Sequence, residues 1–162
     1  MKKKLLQPEN ILSKINFLKN NKKSIVLCHG VFDLFHIGHL RHLQFAKKKG
    51  DYLFVSITSD SFVNKGYAKP IFNQNLRAEL ISALEEVDFV FISNNSSAIE
   101  SINVIKPNYY CKGIEYKKED ITKKIKLEIN EVKKIGGKII YSDDIVYSSS
   151  SLINQNFDIF SK

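Results

Sequence analysis

GVFDLFHIGH, residues 30–39, joins an apolar β-type run to a segment with helical spacing, and that junction decides the fold. Residues 24–28, SIVLC, form the strand. Leu40, Leu43 and Ala46/Lys47 then recur on successive helical turns. A strand running into a helix start presents unpaired backbone N–H groups at the positive end of the peptide dipoles, where phosphate is attracted. Gly38 keeps a side chain out of that space. His36 and His39, three apart in a first turn, share a face and can both donate to one polyphosphate. Their charge can rise as phosphoryl charge develops.

Strand and helix signals alternate along the rest of the chain, which predicts a parallel sheet covered by helices. After an opening helix over 10–20, strands are expected at 24–28, 52–58, 88–92, 109–111 and 138–141. Helices are expected at 38–49, 76–84 with Asn75 as cap, and 96–105 with Ser96 or Ser97 as cap. A charged helix carries Ile121, Ile125, Ile129 and Val132 as its apolar stripe and ends at Gly136-Gly137, and a last helix covers 148–157. The expected class is α/β, Rossmann-like, a five-stranded parallel sheet with helices on both faces. It makes one domain over 1–162, with 1–23 as an N-terminal extension holding one helix.

In such sheets ligands bind beyond the carboxyl ends of the strands. His36 and His39 follow the first strand, Asp60 and Lys65 the second, Lys112 and Gly113 the fourth, and Ser148, Ser149 and Ser150 the fifth. Zinc is a competing reading of Cys28, His29, His36, His39 and His42. Neighbouring strand residues such as Cys28 and His29 point to opposite faces, however, and no CxxC or HExxH accompanies them, so no metal site is expected. Cys28 and Cys111 are expected to be reduced and buried, without a disulfide.

The net charge of +8 is carried by scattered lysine pairs, with Arg41 and Arg77 the only arginines. Lysine pairs of this kind form solvated faces, and nucleic acid is disfavoured, although a basic surface also attracts small polyanions. No segment reaches the roughly 18 apolar residues of a membrane span, and residues 1–10, MKKKLLQPEN, lack a signal-peptide core. A cytoplasmic protein is expected.

GVFDLFHIGH resembles the GxFDxxHxGH signature of the cytidylyltransferase-like nucleotidyltransferases, and the likeness runs over about 25–154. Lys65-Gly66, Lys69-Pro70, Asn75-Leu76-Arg77-Ala78-Glu79, Lys112-Gly113-Ile114-Glu115-Tyr116 and Ser148-Ser149-Ser150 are similar to the adenylyltransferase domain that activates heptose 1-phosphate. Residues 36–39 also spell the HIGH motif of class I aminoacyl-tRNA synthetases, but residues 148–151 offer no lysine for a KMSKS-like loop. Phosphopantetheine and nicotinamide mononucleotide adenylyltransferases lack the Gly-x-Phe-Asp lead. Glu85 and Asp143-Asp144 stand where glycerol 3-phosphate cytidylyltransferases carry arginine, which disfavours that acceptor.

The resemblance implies transfer of a nucleotidyl group from ATP or CTP to a sugar phosphate, with release of pyrophosphate. His36, His39, Lys65 and Arg77 would be catalytic. Gly30, Val31, Phe32, Gly38, Lys112, Gly113 and Ser148 to Ser150 would hold the nucleotide, and Asp60 and Lys69 the acceptor side. Arg77 has an alternative as the partner of Glu79 or Asp60, and Asp33 reads as a loop brace. Mg²⁺ would travel with the triphosphate. Relatives of this kind are often dimers, with the opening helix as an extra contact, and either a separate sugar kinase would supply the acceptor or the chain is a fragment of a kinase fusion. A polyol-phosphate cytidylyltransferase is the alternative within the class; a non-catalytic nucleotide- or RNA-binding module is the alternative outside it.

Overall fold

The computed structural model describes residues 4–64, 69–117 and 123–143. Five parallel strands form one sheet: β1 (Ile25–Gly30), β2 (Tyr52–Thr58), β3 (Phe89–Ser93), β4 (Tyr109–Gly113) and β5 (Lys138–Ser142), in the order β3-β2-β1-β4-β5. The helices are α1 (Pro8–Asn20), α2 (Ile37–Lys47), α3 (Gln74–Ser82), α4 (Ile99–Ile105) and α5 (Lys123–Lys134). The α/β class and the five-stranded parallel sheet are as expected from the alternating pattern. The expected last helix at 148–157 lies outside the described residues.

The strands read as continuous apolar runs because both sheet faces are covered. On one face Leu27, Phe54 and Tyr110 pack with Ile11, Ile15 and Leu18 of α1, Ile102 of α4 and Val132 of α5. On the other, Val26, Cys28, Val55, Ile57 and Cys111 pack with Leu43 of α2 and with Ala78 and Ile81 of α3. The chain passes outward from β1 through β2 to β3, then crosses back to lay β4 beside β1. This reversal puts the topological switch point, the place where open α/β sheets bind ligands in a crevice, at the carboxyl ends of β1 and β4.

The N-terminal segment is part of the fold. Leu5 bridges Val90 in parallel, Leu6 N–H donates to Val90 O at 2.7 Å, and Val90 N–H donates to Lys4 O at 2.8 Å. Two sequence expectations are corrected locally. Asn73, not Asn75, caps α3, accepting from the N–H groups of Asn75 and Leu76 at 3.0 and 3.1 Å. In α5 the buried positions are Ile125, Glu128 and Val132, so a carboxylate occupies the central place that the Ile129 stripe was expected to fill. Gly136 ends α5 at φ +76°, where a glycine has no Cβ penalty.

No helix among the described residues is long and apolar enough to cross a membrane.

Candidate active site

The loop between β1 and α2 is held in an unusual backbone shape. Phe32 and Leu34 have φ of 53° and 44°, a region that costs non-glycine residues of order 1–3 kcal/mol and persists only where the surroundings enforce it. Asp33 supplies part of that enforcement. It is buried, and its carboxylate accepts from Ile71 N–H at 2.8 Å and Phe72 N–H at 3.1 Å. It thereby ties the loop to the segment ahead of α3, as its reading as a brace anticipated. Phe32 is itself buried, and its ring closes on Gly30, where a Cβ would come within 3.2 Å of it.

His36 caps α2. Its Nδ1 accepts from Gly38 N–H at 3.1 Å, and His39 Nδ1 accepts in return from His36 N–H at 3.4 Å. With both Nδ1 atoms accepting, the ring proton of each histidine sits on Nε2. The rings stack, with centroids 3.9 Å apart and 25° between planes, and Phe32 meets His39 edge-on at 5.4 Å. Burial lowers the His36 pKa, which favours a neutral donor until a polyanion arrives. The shared face expected from the three-residue spacing is therefore present.

Arg77 is placed differently from the phosphate grip expected of it. Its side chain is 1% exposed and lies against Asp60 at 2.6 Å. Nε donates to Phe72 O at 2.9 Å, Nη2 to Thr58 O at 2.9 Å, and Nη1 to Val31 O. Four of the five N–H groups of a guanidinium are thus engaged inside the protein. Asp60, expected on the acceptor side, also accepts from Gln74 N–H at 3.0 Å and completes the same brace. The pair clamps the GxFD loop to β2 and α3, the alternative pairing already open at the level of sequence. Arg77→Ala would leave the carbonyls of Val31, Thr58 and Phe72 and the Asp60 carboxylate without their donor and is expected to cost about 3 kcal/mol of stability. A urea titration measures that loss; a phosphate ligand would instead lose turnover at unchanged stability.

Across the crevice, Lys112 is 8% exposed and faces Glu128, Nζ to Oε2 at 3.6 Å, with its ammonium 4.4 Å from the Tyr116 ring. Glu128 also accepts from Tyr110 O–H at 2.9 Å, Ala98 N–H at 3.0 Å and Ser97 O–H at 3.2 Å. Burial alone would raise the Glu128 pKa, but Lys112 and these donors hold it below its ordinary value. Lys112 is pulled down by burial and supported by Glu128. Lys112 and Gly113 do end β4 beside β1 as expected, yet the ammonium is anchored in the interior, and the space a Cβ would take at Gly113 is held by the Glu115 carboxylate.

His29 joins the same face, with Nδ1 3.0 Å from Ser56 Oγ, which in turn lies 2.9 Å from Ser101 Oγ. Sequence reasoning missed Glu128, Tyr110 and Ser101. The one available signal was a charged residue at i+3 from Ile125 and i−4 from Val132.

Burial, then Lys112, lowers both His29 and His42 from 6.5 to about 4. In the unfolded chain both rings take up protons near their ordinary value, so their contribution is complete above about pH 6.5 and is lost as pH falls through about 4. Urea midpoints are expected to fall steadily over that window. His29→Asn and His42→Gln should each flatten the slope.

Lys69 lies on the segment that Asp33 holds, joined to Pro70 by a cis peptide bond. Lys65, Ser148, Ser149 and Ser150 lie outside the described residues. Glu85 and Asp143 are exposed, Glu85 just beyond α3 and Asp143 just beyond β5.

A family model described as Cytidylyltransferase-like matches residues 27–156. The Bifunctional protein HldE of Aliarcobacter butzleri is 39% identical over 124 residues, which cover 75% of this chain and 26% of the relative. That of Desulfatibacillum aliphaticivorans is 34% identical over 155 residues, covering 94% and 31%. The chain therefore spans about a quarter to a third of the length of these curated relatives. Among solved structures, the lipopolysaccharide core biosynthesis protein from Thermoplasma volcanium GSS1 superposes with a TM-score of 0.63 at 29% identity, over 76% of this chain and 99% of that one.

Proposed function

This chain belongs to the cytidylyltransferase-like family of nucleotidyltransferases, and from that premise we propose that it transfers a nucleotidyl group from ATP or CTP to a sugar phosphate of the heptose 1-phosphate kind. The observation that carries the reading is the paired histidine cap at the β1–α2 junction, with Nε2–H as the donor on two stacked rings.

In the reaction an acceptor phosphate oxygen attacks the α-phosphorus, the bond to the β-phosphate oxygen breaks, and pyrophosphate leaves. A phosphate monoester has a second pKa near about 6 and is already an anion at neutral pH, so no general base is needed. The work left for the protein is positioning and charge stabilisation. His36 and His39 donate to the triphosphate, His39 at the α-phosphate. Gly30, Val31, Phe32 and Gly38 shape the loop against which the nucleotide lies. Lys112 and Gly113 lie at the nucleotide, Ser148 to Ser150 serve its β- and γ-phosphates, and Lys65 and Lys69 neutralise the acceptor.

Mg²⁺ neutralises phosphate charge when it is bound. The carboxylates of Asp33 and Asp60 are taken up by backbone N–H groups and Arg77, which fits an ion held by the triphosphate and water.

Support for a sugar rather than glycerol phosphate comes from Glu85 and Asp143, two negative charges where the glycerol enzymes carry positive ones. The similarity to the lipopolysaccharide core biosynthesis protein from Thermoplasma volcanium agrees with that direction. A sugar kinase activity, in the same polypeptide or another, must then make the acceptor. A homodimer through the outer face of α1, where Leu12 and Phe17 are exposed, belongs to the same proposal.

The test presents ATP, CTP, GTP and UTP against a panel of sugar 1-phosphates and polyol phosphates, reading pyrophosphate and product mass. Turnover with heptose 1-phosphate and not with glycerol 3-phosphate is expected. The reverse preference would replace the acceptor assignment, and no turnover with RNA bound instead would overturn the enzyme reading.

A further inference from the structure

The second cysteine lies in β4, 83 positions after the first, yet the sheet register places Cys28 of β1 directly opposite Cys111. Both thiols are buried and unbridged, on the sheet face that packs against α2. That helix brings His42 over them, and the three donor atoms lie within 4.8 Å of one another. We propose that Cys28, Cys111 and His42 form a site for a thiophilic divalent cation, Zn²⁺ in the first instance, which ties α2 to the two central strands.

The chemistry of the donors fits. Two thiolates and one imidazole are soft and borderline ligands of the kind that select zinc, and three protein ligands leave one position of a tetrahedron for water or a small anion. Zn²⁺ with two thiolates is neutral as a unit, so it can occupy an apolar interior beside Lys112 without leaving a buried net charge. The imidazole is also oriented from behind. His42 Nδ1 lies 2.7 Å from Ser142 Oγ, and that hydroxyl can pass its own proton to Lys112 O at 3.5 Å. Ser142 then accepts from Nδ1–H, and Nε2 is the ligand atom, the outer-shell arrangement that fixes a metal-binding histidine. His42 is only half-buried, which gives the ion a route in from the α2 side.

Binding replaces two S–H bonds by two S–Zn bonds, and two protons leave for solvent, with no change of oxidation state. The sequence alone pointed away from zinc because the donors then visible were Cys28 and its neighbours. His29 indeed faces the opposite side, toward Ser56, and the missing ligand comes from a distant strand.

The experiment uses the full chain, reduced and stripped with a chelator, and titrated with Zn²⁺ against a chromophoric competitor and with Co²⁺ in the spectrometer. One equivalent of Zn²⁺, release of two protons, and thiolate-to-Co²⁺ charge transfer with tetrahedral d–d bands are expected. Cys111→Val, which suits a buried strand position, should abolish the charge transfer while its circular dichroism stays native. Ser142→Ala should weaken binding about 10- to 100-fold. Absence of saturable uptake by the folded chain, or equal uptake by Cys111→Val, would overturn the site.

Discussion

His39→Ala is expected to lower the rate of nucleotidyl transfer about 100- to 1000-fold, the cost of removing one preorganised donor from a developing phosphoryl charge. The loss should fall on kcat more than on KM, because the donor is worth most in the transition state. His39 is also the residue whose Nδ1 accepts from His36 N–H, so the cap of α2 weakens in the same variant. His39→Asn separates the two effects. An asparagine side-chain oxygen restores the cap but does not reproduce Nε2–H at the end of a ring, so it should recover thermal stability and leave turnover low. Full activity in His39→Ala would remove the histidine from the chemistry.

Glu128→Ala is expected to produce the largest loss of stability, about 3–5 kcal/mol, because it leaves the buried Lys112 ammonium without its counter-charge. The N–H of Ala98 and the Tyr110 and Ser97 hydroxyls lose their acceptor as well. Glu128→Gln keeps an acceptor but not the charge, and should cost less while driving Lys112 toward its neutral form. Pairing Glu128→Met with Lys112→Met removes both charges and should regain most of the lost stability, since buried ion pairs compare poorly with apolar contacts of similar volume. If Lys112 serves the nucleotide, that stable double variant will remain slow, and urea midpoints beside kcat/KM read the two effects apart. Glu128 titrates below its ordinary value, so its contribution is present above the carboxylate range and disappears as pH falls through the depressed pKa.

The strands were legible because parallel strands covered on both faces are unbroken apolar runs, as in YLFVSIT and DFVFI. The histidine pair was legible because its geometry is local: three residues in one helical turn bring the rings together wherever the chain goes. What escaped is non-local. Arg77 bonds to Val31, Thr58 and Asp60, residues 17 to 46 positions away; the pairing with Asp60 was one of the readings open in the sequence, but nothing there reports that backbone carbonyls would fill the rest of its fork. Cys28 meets Cys111 only through the order of strands, which periodicity does not encode. Glu128 hid in an amphipathic helix, where the apolar residues on either side made Ile129 the natural choice for the core.

The two charge clusters stand on either side of the switch point between β1 and β4. On the β1–β2 side, Arg77 with Asp60 and Asp33 with the backbone of Ile71 and Phe72 hold the strained loop. On the β4 side, Lys112 with Glu128 joins the strand to α5 and, through Ala98 N–H, to the start of α4. Charges that a binding site would present to phosphate are here partly committed to shaping it. On the proposed reading, the direct phosphate contacts then fall first to His36 and His39.

The most direct measurement follows the label of [α-³²P]ATP incubated with the protein and heptose 1-phosphate. Label in an adenylylated sugar, with unlabelled pyrophosphate as the second product, is the predicted result, and His39→Ala should slow its appearance about 100-fold or more. Label retained in ADP, as attack on the γ-phosphate would leave it, would contradict the account.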